Sequence, residues 1–376
     1  MAKRPFRADH VGSMIRPTKL IVARARYSMG EIDSAALRAI EDECVLEVVR
    51  LQEDVGLEGV TDGEMRRGSW SRDFLQGFKN VQASEGKLEV YFKNADGTVT
   101  NNKPNSMKVT GKLSRSGPIQ AEDYKFLKSA TKKTPKVCIP SPTLMHFRGG
   151  RGDVDHIAYP AMEAFFADLA RVYSEEIDDL VKNGLKYLQL DDPNLAYLCD
   201  ERFRDAVKAI GEDVDRLPET YVNLINRSIK NVPDDVTVAM HLCRGNASTG
   251  GLATGGYEPV AEALLSSLNV DGFFLEYDDE RSGDFTPLRF LAKGKTVVLG
   301  LVTTKRPALE SVEHVKRRIS DAAKIVPLEQ LALSTQCGFS SGAGGDPSRR
   351  RALTIDDQKA KLERVVECAR DIWGGL

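Results

Sequence analysis

The sequence predicts an α/β protein of the (β/α)8 TIM barrel type with a polar β-hairpin insertion, on three observations. Short apolar, β-branched runs alternate with amphipathic helical stretches, the pattern of βαβ units and a parallel sheet. Such runs recur near residues 8, 59, 138, 189, 239, 273, 298 and 333, and eight is the number a closed barrel needs. Polar or ligand-type residues end many of them: Ser13, Glu64, Asp191, His241, Glu276 and Cys337. In a barrel these converge on one carboxyl rim, whereas a doubly wound open sheet, the rival architecture, spreads them out.

Taken in order, residues 5–12 form a short strand ending at Gly12 and Ser13, and Pro17 stops its continuation. From 32 to 56 the apolar stripe Ala36, Leu37, Ile40, Val45, Val48, Val49 and Leu51 predicts a long helix with Ser34 as N-cap. Leu57–Thr61 is the next strand and opens into Asp62, Gly63, Glu64, Met65, Arg66 and Arg67, with Trp70 and Arg72 behind. The rhythm then loosens. Residues 79–135 carry an NADG turn at Asn94–Gly97 and polar flanks, and are expected to form a β-hairpin insertion within a single domain, 1–376. Barrel rhythm resumes at Lys136–Pro140 and passes through the loop SPTLMHFRGGRGD. The remaining units alternate: helix 160–183, strand Tyr187–Leu190, helix 205–230, strand Val236–Leu242, helix 259–268 and strand Val270–Leu275. Strand Thr296–Val302, helix 310–325, strand Leu331–Thr335 and helix 355–373 complete the series.

Composition narrows the function. With 53 basic against 55 acidic residues and a formal charge of −2, nothing draws the chain to nucleic acid or an anionic membrane. A small-molecule substrate is the better expectation. No apolar run approaches the roughly 20 residues that span a bilayer, and MAKRPFRADHVGS lacks the apolar centre of a secretory signal. A cytoplasmic location follows as the expectation, and a homo-oligomer is compatible with it. The six cysteines, at 44, 138, 199, 243, 337 and 368, are dispersed, so reduced thiols and metal ligands are expected rather than a disulfide framework.

His241 and Cys243 lie two apart at the end of a strand, so an imidazole and a thiol project from one face. An HxC pair alone is weak, since buried cysteines and hydrogen-bonding histidines are common. Glu276 and Cys337 at the ends of two further strands complete a set of atom types that tetrahedral zinc takes. Zinc with an exchangeable position would hold another thiol as a nucleophilic thiolate, and sulfur would attack an electrophilic carbon. A closed site would be structural. Trp70 and Arg148, with Arg66, Arg67 and Arg151, are candidates to bind a flat anionic donor by stacking and ion pairing. Surface solvation is the plainer reading of each arginine.

These residues carry a resemblance. His241-Leu242-Cys243, Glu276 and Cys337-Gly338 resemble, in that chain order, the zinc ligands of the catalytic C-terminal barrel of the cobalamin-independent methionine synthases. Val11-Gly12-Ser13, Gly63-Glu64 and Leu190-Asp191-Asp192-Pro193 resemble further segments of that family. The resemblance implies a Zn2+ enzyme that methylates homocysteine to methionine. Ser13 would contact the homocysteine carboxylate, and Glu64 and Asp191 its ammonium group. It implies a methyl donor such as methyltetrahydrofolate; a methyl-corrinoid protein is the other carrier expected, and it would make different demands where the departing group takes its proton. Full-length members carry a second, N-terminal half that this chain lacks. After its seventh strand the family also has a histidine proton donor where this chain reads Thr303, Thr304, Lys305. Thr303 as a hydroxyl relay and Lys305 as an anion contact are the groups available there. Two other readings keep the metal: an alkyltransferase joining another thiol to an epoxide or other alkyl donor, and a non-catalytic zinc-binding barrel.

Overall fold

A computed structural model describes residues 5–93, 98–103, 105–247, 250–340 and 353–375. Eight parallel strands form its principal sheet: β1 (Ala8–Asp9), β2 (Gly59–Val60), β3 (Thr134–Pro140), β4 (Tyr187–Asp192), β5 (Thr237–Leu242), β6 (Gly272–Glu276), β7 (Thr296–Val302) and β8 (Leu331–Thr335). From β2 to β8 each strand pairs with its neighbours in the chain, and β1 pairs with β8 through Ala8 opposite Leu333 and Asp9 opposite Ser334. Between β1 and β2 the ring is drawn together by three bonds. His10 Nε2 lies 3.2 Å from the Gly59 carbonyl, Thr61 Oγ1 donates to the Gly12 carbonyl at 2.6 Å, and the Met14 amide donates to the Gly63 carbonyl at 3.0 Å. The (β/α)8 expectation holds. Strands β4 to β8 are buried along their whole length, which is why they read as apolar runs rather than as clean alternation.

Helices α1 (Thr18–Ser28), α2 (Ser34–Asp54), α3 (Ala121–Ala130), α4 (Met162–Lys182), α5 (Glu201–Ala209), α6 (Leu217–Ser228), α7 (Val312–Ala322) and α8 (Ile355–Trp373) accompany the sheet. Helix α4 buries Phe165, Leu169, Val172, Ile177 and Leu180. Several expectations need correction. The side chain of Asp33, not Ser34, caps α2, accepting from the Ala36 amide. Helix α1 begins directly after Pro17, whose fixed φ suits a helix start as well as a stop. The stretch 205–230 is two helices, because Gly211 takes φ +91° and Pro218 opens the next helix. The helix expected at 259–268 is a short turn, Glu258–Ala261, running into a π-helical segment, Glu262–Ser266.

Hairpin pairing covers only part of the stretch 79–135. Phe78–Ser84 pairs antiparallel with Ser106–Arg115, and Val90–Lys93 pairs with Val99–Asn102. Residues 121–130 are α3, a helix packed against β3. The NADG turn at Asn94–Gly97 lies outside the described residues. SPTLMHFRGGRGD folds into two 3-10 turns, Pro142–Met145 and Gly150–Asp153, which are largely buried.

Inside the barrel, alternate strand residues stack in layers. Phe6, Tyr187, Ala239, Phe274, Val298 and Ala332 form an apolar floor. One step along the strands come Asp9, Lys136 and Gln189, all buried. Above them lie Asp191 and its register partner His241, with Glu276 at the end of β6.

Candidate metal and thiol site

His241, Cys243, Glu276 and Cys337 bring one ligand atom each to within 4.8 Å of one another. Three are buried and Cys243 is partly exposed, so the cluster sits at the mouth of the barrel with one side open. The two sulfurs are 3.6 Å apart and both cysteines are free thiols. That spacing matches the roughly 3.8 Å between two sulfurs bound tetrahedrally to zinc at about 2.3 Å each. Among the described residues, neither ring nitrogen of the buried His241 has a hydrogen-bond partner of ordinary geometry, and buried polar atoms are rarely left so. The donor set and these orphaned nitrogens fit a zinc ion.

Electrostatics agree. Burial pushes Glu276 up to about 7, the Cys337 sulfur adds to the rise, and Arg281 opposes it. The Cys337 sulfur, with burial, pushes the Cys243 thiol well above its ordinary value. Burial opposes charging His241, yet the Cys337 sulfur, Asp191 and Glu276 together lift it. Each direction reports negative charge crowded in a buried space, which a divalent cation offsets. Glu276 is aimed by its surroundings. Its Oε1 accepts from the Arg244 amide at 2.7 Å, its Oε2 from Arg281 at 3.0 Å, and its backbone amide donates to Tyr257 at 2.9 Å.

The expected amino-acid-binding residues gather beside this cluster. Ser13 packs on Gly338, the residue after Cys337, so closely that a Cβ at Gly338 would stand 1.9 Å from Ser13 Oγ. The Ser13 carbonyl accepts from Phe339 at 2.8 Å. Among the described residues, the Asp191 side chain accepts one hydrogen bond, from Gln189 Nε2 at 2.7 Å, and burial pushes it up to about 7, with His241 pulling down and Glu64 pushing up. Glu64 is held at φ +58°, a conformation rarely taken by residues with a side chain, and such strain concentrates at functional sites. It stands between Arg16 at 3.6 Å and Arg67 at 3.4 Å. Burial raises it despite both arginines, and Cys337 also acts on it, tying Glu64 to the cluster.

The other candidates are placed less simply. Arg148 Nη1 donates to the Asn105 carbonyl at 3.0 Å, linking the insertion to the rim, and its charge is felt by Cys243. Trp70 is half-buried against the core. Thr303 follows β7, its hydroxyl accepting from the Lys305 amide at 3.3 Å. Lys305 is committed to ion pairs with Asp278 at 2.7 Å and Asp279 at 3.1 Å. Arg66, Arg67 and Arg151 each have protein partners: Arg66 pairs with Asp42, Arg67 donates to the Cys138 carbonyl, and Arg151 donates to the Tyr159 carbonyl at 2.7 Å. Sequence reasoning missed Arg16, Gln189, Arg244, Tyr257 and Arg281. Gln189 was within reach of it, since strand alternation places it two residues before Asp191.

Comparison with known proteins agrees with this geometry. The profile described as "Cobalamin-independent synthase, Catalytic domain" matches residues 6–352. An uncharacterized protein of Bacillus subtilis (strain 168), YxjH, is 43% identical over 373 residues, 99% of this chain and 96% of that one. A methionine synthase of Sulfolobus acidocaldarius is 27% identical over 335 residues, covering 88% and 84%. A solved structure from Listeria monocytogenes, assigned provisionally as a vitamin-B12-independent methionine synthase, shares 37% identity, superimposes with a TM-score of 0.78 and covers 98% of both chains. The chain therefore belongs to the family of the cobalamin-independent methionine synthase catalytic domain.

Proposed function

We propose that this protein is a zinc-dependent S-methyltransferase that moves a methyl group from a carrier to a thiol, homocysteine being the acceptor its residues fit best. The observation that carries the reading is the convergence of His241, Cys243, Glu276 and Cys337 within 4.8 Å beside two buried carboxylates, Asp191 and Glu64. Zinc bound by the quartet supplies a Lewis acid that keeps an incoming thiol as its thiolate near neutral pH.

The chain's own residues do the rest. Asp191, buried and incompletely compensated, receives the ammonium of the amino acid. Glu64 assists, although Arg16 and Arg67 already neutralise much of its charge. Ser13 faces the carboxylate through its hydroxyl or backbone amide. The acceptor sulfur then forms a bond to the methyl carbon as the carrier's bond to that carbon breaks. With a methyltetrahydrofolate donor, the departing nitrogen takes a proton, and Thr303 is the hydroxyl at the β7 rim that can pass one.

Zinc-edge X-ray absorption of reconstituted protein, with and without homocysteine, tests the first step: one zinc per chain and an added sulfur neighbour are expected. A chain that takes up no stoichiometric zinc, or whose zinc ignores the thiol, overturns the reading. Assaying methyltetrahydrofolates, a methyl-corrinoid protein and an epoxide with a panel of thiols then identifies the donor. Alkylation of a thiol lacking the amino group, in preference to homocysteine, would reassign the enzyme to alkyl transfer.

A further inference from the structure

Barrel interiors are usually filled by layers of branched apolar residues, and this one departs from that rule directly beneath its site. Lys136, on β3, is completely buried. Its ammonium donates to Asp9 Oδ1 at 2.8 Å, to the His10 carbonyl, and to Gln189 Oε1 at 3.2 Å. Three acceptors match the three hydrogens of the group. Asp9 is itself anchored, its Oδ2 accepting from Tyr187 at 2.7 Å and its Oδ1 from the His10 amide at 2.8 Å. Burying such an ion pair costs desolvation that apolar packing would avoid, so its presence is poorly explained by stability.

The consequence falls on Gln189. A side-chain amide can be reversed end for end, and its neighbours decide which end points where. Here the oxygen faces the Lys136 ammonium, so the NH2 must face the other way. It donates to the Val11 carbonyl at 2.6 Å and to Asp191 Oδ1 at 2.7 Å. The reversed amide would set its NH2 against an ammonium, and its oxygen against a carbonyl and a carboxylate. Lys136 therefore locks the Gln189 amide, and Gln189 makes the one hydrogen bond that any described residue donates to the Asp191 side chain. Tyr187, Gln189 and Asp191 alternate along β4, so they form one column from the floor to the site.

From this column we infer that Lys136 and Gln189 are positioning residues that orient Asp191 toward the amino group of the acceptor thiol, and so set the preference for a thiol that carries an ammonium group. The inference rests on the methyltransferase reading above and adds to it the residues that make the site choose an amino-acid thiol. Among the described residues, no hydrogen bond joins either one to a metal-type ligand, and both act through Asp191.

The test measures binding rather than turnover. Zinc-loaded wild type and Gln189→Met are titrated by calorimetry with homocysteine and with 4-sulfanylbutanoate, which lacks only the amino group. The expected result is about a tenfold loss of homocysteine affinity in Gln189→Met, the order lost when a charge-assisted contact is misaligned, with 4-sulfanylbutanoate affinity unchanged. Equal losses for both thiols would mean a merely structural role and overturn the inference, as would no loss for either. Should wild type bind neither thiol, the methyltransferase reading falls and takes the inference with it. If Gln189→Met does not fold, the neutral pair Asp9→Asn with Lys136→Met removes both buried charges together and frees the amide to turn. It should lower the homocysteine to 4-sulfanylbutanoate affinity ratio in the same direction, and an unchanged ratio would overturn the inference.

Discussion

His10 gives the sharpest quantitative handle on the fold that carries the site. It lies fully buried on the segment leading from β1 to Ser13, with Nε2 on the Gly59 carbonyl and Nδ1 without a partner among the described residues. Burial, joined by the nearby Lys136 charge and only partly opposed by Asp9 and the Gly59 carbonyl, pulls its pKa from 6.5 down to about 3. In the unfolded chain the imidazole takes a proton as pH falls through about 6.5, whereas in the fold it stays neutral until about pH 3. Stability from this residue is therefore complete above about pH 6.5 and lost as pH falls toward 3. At about 1.4 kcal/mol per pH unit, the loss is about 2 kcal/mol at pH 5, about 3 at pH 4 and about 5 in full. His10→Gln keeps an N–H for Gly59 and does not titrate. Urea unfolding of both proteins from pH 7.5 to 4.5 isolates the effect, because every other titrating group is common to the pair. The variant should gain about 2 kcal/mol on the wild type between pH 7.5 and 5. Parallel pH profiles would refute the account of a neutral, buried imidazole.

Three further outcomes follow from the site. Gly338→Ala places a Cβ 1.9 Å from Ser13 Oγ; it should cost about 1–3 kcal/mol in thermal unfolding, and Ser13→Gly on the same chain should recover most of the loss. Stripping zinc with a chelator should make Cys243, the one partly exposed thiol among six, react quickly with a thiol reagent, while reloading zinc suppresses it; identical rates would place the metal elsewhere. Lys305→Met should destabilise by about 3 kcal/mol, because the Asp278 carboxylate, only 1% exposed, loses its partner at 2.7 Å and keeps only Arg281 at 3.8 Å. Adding Asp278→Asn should restore stability, and an unchanged melting temperature in the single variant would show Lys305 free to serve a ligand.

Much of this architecture was open to inspection in one dimension. Apolar runs such as Val236–Met240 and Thr296–Val302 leave little choice but buried parallel strands, and period-2 geometry puts His241 and Cys243 on one face wherever their strand lies. Helix boundaries were less legible. The apolar spacing continues through 205–230, so the break is marked by the left-handed Gly211 and by Pro218 rather than by the pattern. The extent of the insertion was obscured because α3 carries a mixed polar surface that resembles the hairpins before it.

What the chain determines by itself is local: the strand and helix periodicities, the identity of the four metal-type side chains, and their position at strand ends. What tertiary structure decided is every relation between residues far apart in the chain. Closure of the ring sets Cys337 against Cys243 and seats Ser13 on Gly338. Arg281 turns back onto Glu276, while Lys305 is consumed by Asp278 rather than left for an anion. Lys136 reaches from β3 to the neighbouring β4 to fix Gln189. Charges and amides choose partners by distance and desolvation, and those quantities exist only once the barrel has closed.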